Sequence, residues 1–150
     1  MELTKETARK LYDTSPDWFK EQLTKAFGEK TFEKTDFRSI KTFKDACQAL
    51  ELDPGKVTQE TDTKDEAAYK MIKVIVAAIN QGWIPDWSNE DQKKWFPWFN
   101  VLSSGLGFQH SFYYYTLTFT YVGSRLCFES SEKAEHAGRQ FIKLYENFIL

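Results

Sequence analysis

Three features of this 150-residue sequence predict an α+β fold: charge-rich helical phrases at the front, an aromatic stretch nearly free of charge behind them, and one last helical phrase. Residues 1 to 60 carry 11 basic and 12 acidic side chains, whereas the 34 residues between Lys94 and Glu129 hold one charged side chain, Arg125, and twelve aromatic rings. The order helices, strands, helix predicts an amino-terminal helical half at about 1–94. A small antiparallel sheet of three or four strands follows at about 96–128, and a carboxy-terminal helix packs on it to complete the portion at about 95–150. A chain of this length buries roughly two-thirds of its unfolded surface, so a single domain over 1–150 is expected.

The first helix is predicted around Lys5 to Tyr12. Ser15-Pro16-Asp17 offers a capping hydroxyl before a proline at the first helical position and Gly28 offers a stop, which frames a second helix with Phe19, Leu23, Ala26 and Phe27 along one side. Thr42 with Asp45 three residues on reads as another start, before Phe43, Ala46, Cys47 and Leu50 at helical spacing and the breaker Asp53-Pro54-Gly55. Residues 55 to 63 are polar and read as a mobile connection. Thr63 and Glu66 form a capping box for a helix over 64–81, in which Ala68, Met71, Ile72, Ile75, Val76 and Ile79 mark the buried side and Gly82 the end.

Ser88 with Asp91 suggests a short helical turn stopped by Pro97. Trp98 to Leu102, Phe108 to Tyr121 and Ser124 to Phe128 have the β-branched and aromatic content of strands, with turns at Gly105, Gly107 and Gly123. Read with strict alternation, Phe108, His110, Phe112 and Tyr114 share one face and Gln109, Ser111, Tyr113 and Tyr115 the other; neither is plainly polar. Such a sheet is covered by helices on one side and leaves rings on the other, unless the Trp-rich 83–99 segment closes that side too. From Ser130 or Ser131 a final helix carries Ala134, Ala137, Phe141, Leu144, Tyr145 and Phe148 along one side, with His136 exposed.

The run GWIPDWSNEDQKKWFPWF, the glycine-punctuated strands after it and VGSRLCFESSEKAEHAGRQFIKLYENFIL resemble a family of small proteins of Bacteroidetes gut bacteria, their phages and prophages. LYDTSPDWFKEQLTKAFG and IKTFKDACQALELDP are similar to the front half of that family, so the resemblance spans most of the chain. It implies a mobile-element setting and brings no known activity and no catalytic residues.

A net charge of -2 gives no general pull toward nucleic acid or an anionic membrane. No secretory signal and no apolar run of membrane-spanning length are read, so a cytoplasmic protein without membrane contact is expected. Cys47 and Cys127 lie 80 positions apart and read as reduced, buried thiols. No metal is expected, since Cys47, Cys127, His110 and His136 lack ligand spacing. No cofactor is expected either, because Ser103-Ser104-Gly105-Leu106-Gly107 reads as a turn between strands and not as a phosphate loop.

Function is therefore expected in the rings. Trp83, Asp86, Trp87, Trp95, Trp98, Tyr113, Tyr115 and Arg125 are the candidate binding residues, with no catalytic residue assigned. A non-catalytic accessory protein that meets a protein partner or its own copy is the favoured reading. The alternatives are a binder of single-stranded nucleic acid that stacks bases and grips phosphate with Arg125, and a small hydrolase that uses Cys127 with His110, or Asp86 with its pKa raised by neighbouring rings.

Overall fold

The structure is a computed structural model that describes residues 3–32, 36–115 and 125–150. The chain divides into two compact units, Met1–Thr35 and Asp36–Leu150. In the first, α1 (Lys5–Tyr12) starts where Thr4 accepts the Thr7 N–H, and α2 (Asp17–Phe27) ends at Gly28, whose φ of 83° is open to glycine without strain. The expected cap at Ser15 is corrected: its hydroxyl donates back to Leu11 O at 2.6 Å and closes α1. Pro16 takes the cap position of α2 without a side-chain bond. Ala8 and Leu23 are buried, Tyr12 stacks on Phe32 at 4.2 Å, and Trp18 stands 67% exposed.

The second unit opens with a 3-10 turn, Phe37–Ser39, followed by α3 (Phe43–Ala49). The helix start read at Thr42 and Asp45 forms, and the two make a capping box; the Asp45 carboxylate accepts N–H bonds from Lys41 and Thr42, and these hold it below the usual carboxylate range. The polar connection that follows makes side-chain contacts at its carboxy-terminal end. The Asp62 side chain, 7% exposed, accepts the Gln59 N–H at 2.8 Å and pairs with Lys70, so local polarity here serves an inward-facing anchor.

Helix α4 (Lys64–Asn80) carries the expected Thr63 and Glu66 box and buries Ala68, Ile72, Ile75, Val76, Ala78 and Ile79. Each fully buried isoleucine contributes about 1.5–3 kcal/mol by transfer from water, so this stripe is the main apolar investment of the unit. The left-handed turn that ends α4 begins at Gln81, with φ 53°, and continues through Gly82. α4 packs against α3 and against the two last helices.

Strands β1 (Lys94–Leu102) and β2 (Gly105–Tyr114) form an antiparallel hairpin around Ser103-Ser104. Among the described residues the sheet has these two strands; the expected third and fourth are not confirmed. Residues 116–124 of the expected strands lie outside the described residues, and Phe128 makes one antiparallel bridge, with Trp95. Pro97 does not stop a helix but lies inside β1, where the geometry accommodates it. Trp95 exchanges both backbone bonds with Phe128, at 3.0 and 2.8 Å, so its peptide groups point away from β2. Residue 97 has the same parity, and the N–H that proline lacks is one that β2 never uses.

The single final helix is also corrected to two, α5 (Ser131–Gln140) and α6 (Ile142–Ile149), separated at Phe141, whose φ of -112° and ψ of 24° leave the helical region. The break lets α5 lie on both strands while α6 turns its rings two ways, Tyr145 to Phe99 at 4.9 Å and Phe148 to Tyr69 of α4 at 5.5 Å. His136 is half-buried, not exposed as expected: its Nε2 donates to Ile40 O at 2.8 Å and its ring edges onto Phe37. The core gathers Ile72, Ile75, Ile79, Leu106, Leu126, Phe128, Ala137, Phe141 and Tyr145.

Candidate functional site

The two faces of the hairpin differ in cover, and the pairing register shows how. Trp95, Pro97 and Phe99 share one face with Tyr113, Ser111 and Phe108; Phe96 and Trp98 share the other with Phe112 and His110. The register shifts between Trp98 and Phe99, leaving Gln109 as the extra residue of a bulge. Strict alternation places Phe108 beside His110 and Phe112. The bulge moves Phe108 to the opposite face.

That first face lies under the last two helices. Ser111 and Ser131 hydroxyls meet at 2.7 Å, the Arg139 guanidinium lies 4.4 Å from the Phe108 ring centroid, and the Glu146 carboxylate accepts the Leu106 N–H at 3.2 Å. Among the described residues the opposite face is closed only at its beginning, where Lys94 is fully buried and Phe96 is 4% exposed. Beyond them Trp98 and Phe112 are 37% and 42% exposed, and His110 is exposed between them. The Trp98 and His110 rings lie nearly parallel at 6.1 Å, and Phe112 stands 6.1 Å from Trp98 and 6.5 Å from His110.

Segment 83–92 supplies the closure at Lys94. Asp86 Oδ1 accepts the Ser88 N–H and hydroxyl, Asn89 Oδ1 accepts the Asp91 N–H, and Gln92 Oε1 accepts the Asp86 N–H at 2.7 Å. These side-chain turns replace the expected Ser88 to Asp91 helical turn, because Asp and Asn side chains bond their own backbone more readily than they wait for a helix. The loop they fix presents Asn89 O to the Lys94 ammonium at 2.9 Å, with the Trp87 ring 5.4 Å away. Lys94 is thus consumed inside the fold, while Lys93 lies over the Trp95 and Tyr113 rings.

The eight sequence-predicted residues fall in four places. Trp83 and Trp87 are half-buried in the 83–92 loop, where Asp86 is exposed. Trp95 and Tyr113 meet at 4.7 Å on the helix-covered face, Tyr115 joins Tyr113 at 5.5 Å, and Lys93 Nζ sits 4.5 Å from the Tyr113 centroid. Trp95 also packs against the core, while Tyr115 is 41% exposed with its phenol pushed up by its bond to Tyr113. Trp98 is on the open face. Arg125 is exposed and, among the described residues, makes no ion pair. Sequence reasoning missed His110 and Phe112 as partners of Trp98; their shared parity was the available signal.

The groups considered for catalysis have unfavourable surroundings. Asp86 is held below the usual carboxylate range by the Ser88 hydroxyl and N–H, the opposite of a pKa raised against rings. Burial pushes the Cys127 thiol up to about 12, with Lys94 opposing only in part, while His110 stands on the exposed face. A thiol of that pKa holds almost no thiolate at neutral pH. Native protein at pH 8 is therefore expected to react with a disulfide reagent at least about 100-fold slower than the same protein unfolded in guanidinium. Rapid native labelling of Cys127 would restore the nucleophile.

Among the described residues no three His, Cys, Asp or Glu side chains are grouped to hold a metal, and no helix is long and apolar enough to cross a membrane. A shallow depression of about 440 Å³ on the first unit, between Tyr12, Lys20, Thr24 and Glu29, has mixed charge and no ring platform beyond Tyr12. Fold and site together define an α+β protein with a two-stranded aromatic hairpin sheathed by helices on one side. No family model, no curated protein and no solved structure matches the chain.

Proposed function

We propose that this is a non-catalytic accessory protein of phage or mobile-element type, acting in the cytoplasm, whose open hairpin face receives a protein partner. The observation that carries the reading is the one-sided cover: α5 and α6 close one face, while Trp98, His110 and Phe112 leave contiguous ring surface on the other. Aromatic residues bury much area for little lost side-chain freedom, which suits the centre of a protein contact. The mobile-element setting rests on the resemblance of segments 82–99 and 122–150, with the front-half phrases at 11–28 and 40–54. In this reading the sheet extends past β1, along the edge where Trp95 already bridges Phe128.

Collisional quenching tests the face. In a Trp18→Phe background, which removes an indole that is 67% exposed, the further change Trp98→Phe is expected to lower the remaining iodide-quenchable fluorescence, to the part that half-buried Trp83, Trp87 and Trp95 supply. An unchanged quenchable fraction would mean that the face is sealed, and the reading would fail.

One observation favours a second reading. Exposed Arg125, which makes no ion pair among the described residues, is the one cation inside the aromatic stretch, as a phosphate contact in a single-strand binder would be. Binding of oligothymidylate should then weaken with salt at a slope of roughly -0.7 per phosphate contact and lose one such contact in Arg125→Ala. Oligonucleotide affinity indifferent to both removes that reading.

A further inference from the structure

We infer that the occupant of the open hairpin face is a second copy of this chain, packed sheet to sheet about a two-fold axis; the inference rests on reading that face as a protein-recognition surface. Charge carries the argument. A two-fold contact presents each patch to itself, so any formal charge near the axis meets its own sign, and only a charge-free or internally neutralised face avoids the cost. Between Lys94 and Glu129 the one charged side chain is Arg125, and Lys94 itself is buried under the Asn89 loop. The strip of Trp98, Asn100 and Leu102 on β1 beside His110 and Phe112 on β2 therefore carries no formal charge with the histidine neutral. It is self-compatible and offers no counter-charge to an acidic or basic partner.

Layering points the same way. A hairpin packed on helices is stable with that one cover, and sheets also pack face to face at about 10 Å with interdigitated side chains, so the uncovered side can accept a further layer. Here α5 and α6 cover one side, and a second hairpin would supply that layer. Size sets the strength of the contact. Trp98, Phe112 and the tip residue Leu102, 37%, 42% and 50% exposed, present apolar area on the order of 300 Å² per copy, under half of what a standard interface takes from each partner. The dimer is therefore weak and reversible.

Sedimentation equilibrium on the full chain between about 10 μM and about 1 mM tests this. The mass average is expected to rise from one chain toward two, an approach to a twofold increase. Phe112→Lys and Phe112→Glu, each alone, should remain at one chain throughout, because each places like charge across the axis. Mixing them in equal amounts should restore the twofold mass, since opposite charges then face each other. Matching melting temperatures verify folding; if either variant is unfolded, the same pair of substitutions at exposed His110 replaces it. A wild type that stays at one chain while Trp98 remains quenchable overturns the second-copy occupant and leaves the face to a different protein. Association that persists in both single variants, or that disappears in Trp18→Ala, places the contact elsewhere and also overturns the inference.

Discussion

Replacing Asn80 by alanine is expected to destabilise the protein by about 2–3 kcal/mol, a large share of the stability of a small domain. Asn80 is the last residue of α4 and is 5% exposed; its Nδ2 donates to Cys127 O at 2.8 Å and its Oδ1 accepts the Glu129 N–H at 3.2 Å. One amide thus holds the end of the main core helix to the segment that carries Leu126 and Phe128, across 47 and 49 positions of sequence. Alanine leaves the buried Cys127 carbonyl without its donor, and a methyl group cannot replace it. Urea denaturation should show a lower midpoint with an unchanged slope. A loss below about 0.5 kcal/mol would mean that water takes over both bonds and that the tie is dispensable.

Asn80→Asp extends the test with a defined sign. Burial beside a carbonyl oxygen disfavours the carboxylate, so the folded-state pKa of the introduced group is raised above its unfolded value. The protonated acid can donate to Cys127 O, and the stability it contributes is fully present below the unfolded pKa and is lost as pH rises through the folded one. This variant should therefore lose stability from acid toward neutral pH relative to wild type. An absent slope would place residue 80 in water, and the opposite slope would mean that the Glu129 N–H holds the carboxylate in the folded state.

Gly138→Ala is expected to cost about 1–3 kcal/mol, although helix propensity alone would favour alanine by about 1 kcal/mol. A Cβ on Gly138 would fall 2.6 Å from two ring carbons of Phe108 and 2.8 Å from Pro97 Cβ. Neither neighbour yields cheaply: Pro97 is a strand residue with a closed ring, and Phe108 is held edge-on by Phe99 under the Arg139 guanidinium. The steric term decides the sign, and α5 must lift from the hairpin to admit a methyl group. The control is an alanine at an exposed helical site of α3, Gln48→Ala, which should change stability by no more than about 0.5 kcal/mol. A stabilised Gly138→Ala would show that α5 does not pack closely on the sheet.

Legibility in the sequence tracked the range of the interaction. The helix start at Thr42 with Asp45, the box at Thr63 with Glu66, the α1 span and the α4 stripe all formed as read, because a hydrogen bond over three residues and a 3.6-residue period are contained in the local chain. Ser15 and Ser88 were misread for a related reason. Each has two local acceptors or donors within reach, and composition does not choose between them. At the site, the aromatic stretch was evident, but its division into a covered and an open face was not. That division depends on the Gln109 bulge, which moves Phe108 under α5, and on the Asn89 loop, which buries Lys94 and closes one end.

Helix positions, their caps and the segregation of charge from rings were determined by the amino-acid order alone, since each arises from neighbours a few residues apart. Tertiary structure decided where Pro97 could sit, where the last helix breaks, which lysine is spent internally and which rings meet solvent. Most of those outcomes depend on contacts from far along the chain, as of Glu146 with Leu106 and Asn80 with Cys127, while Lys94 is taken up by a loop only five positions away. Steric fit and desolvation between distant segments leave no period in the sequence from which they could be read.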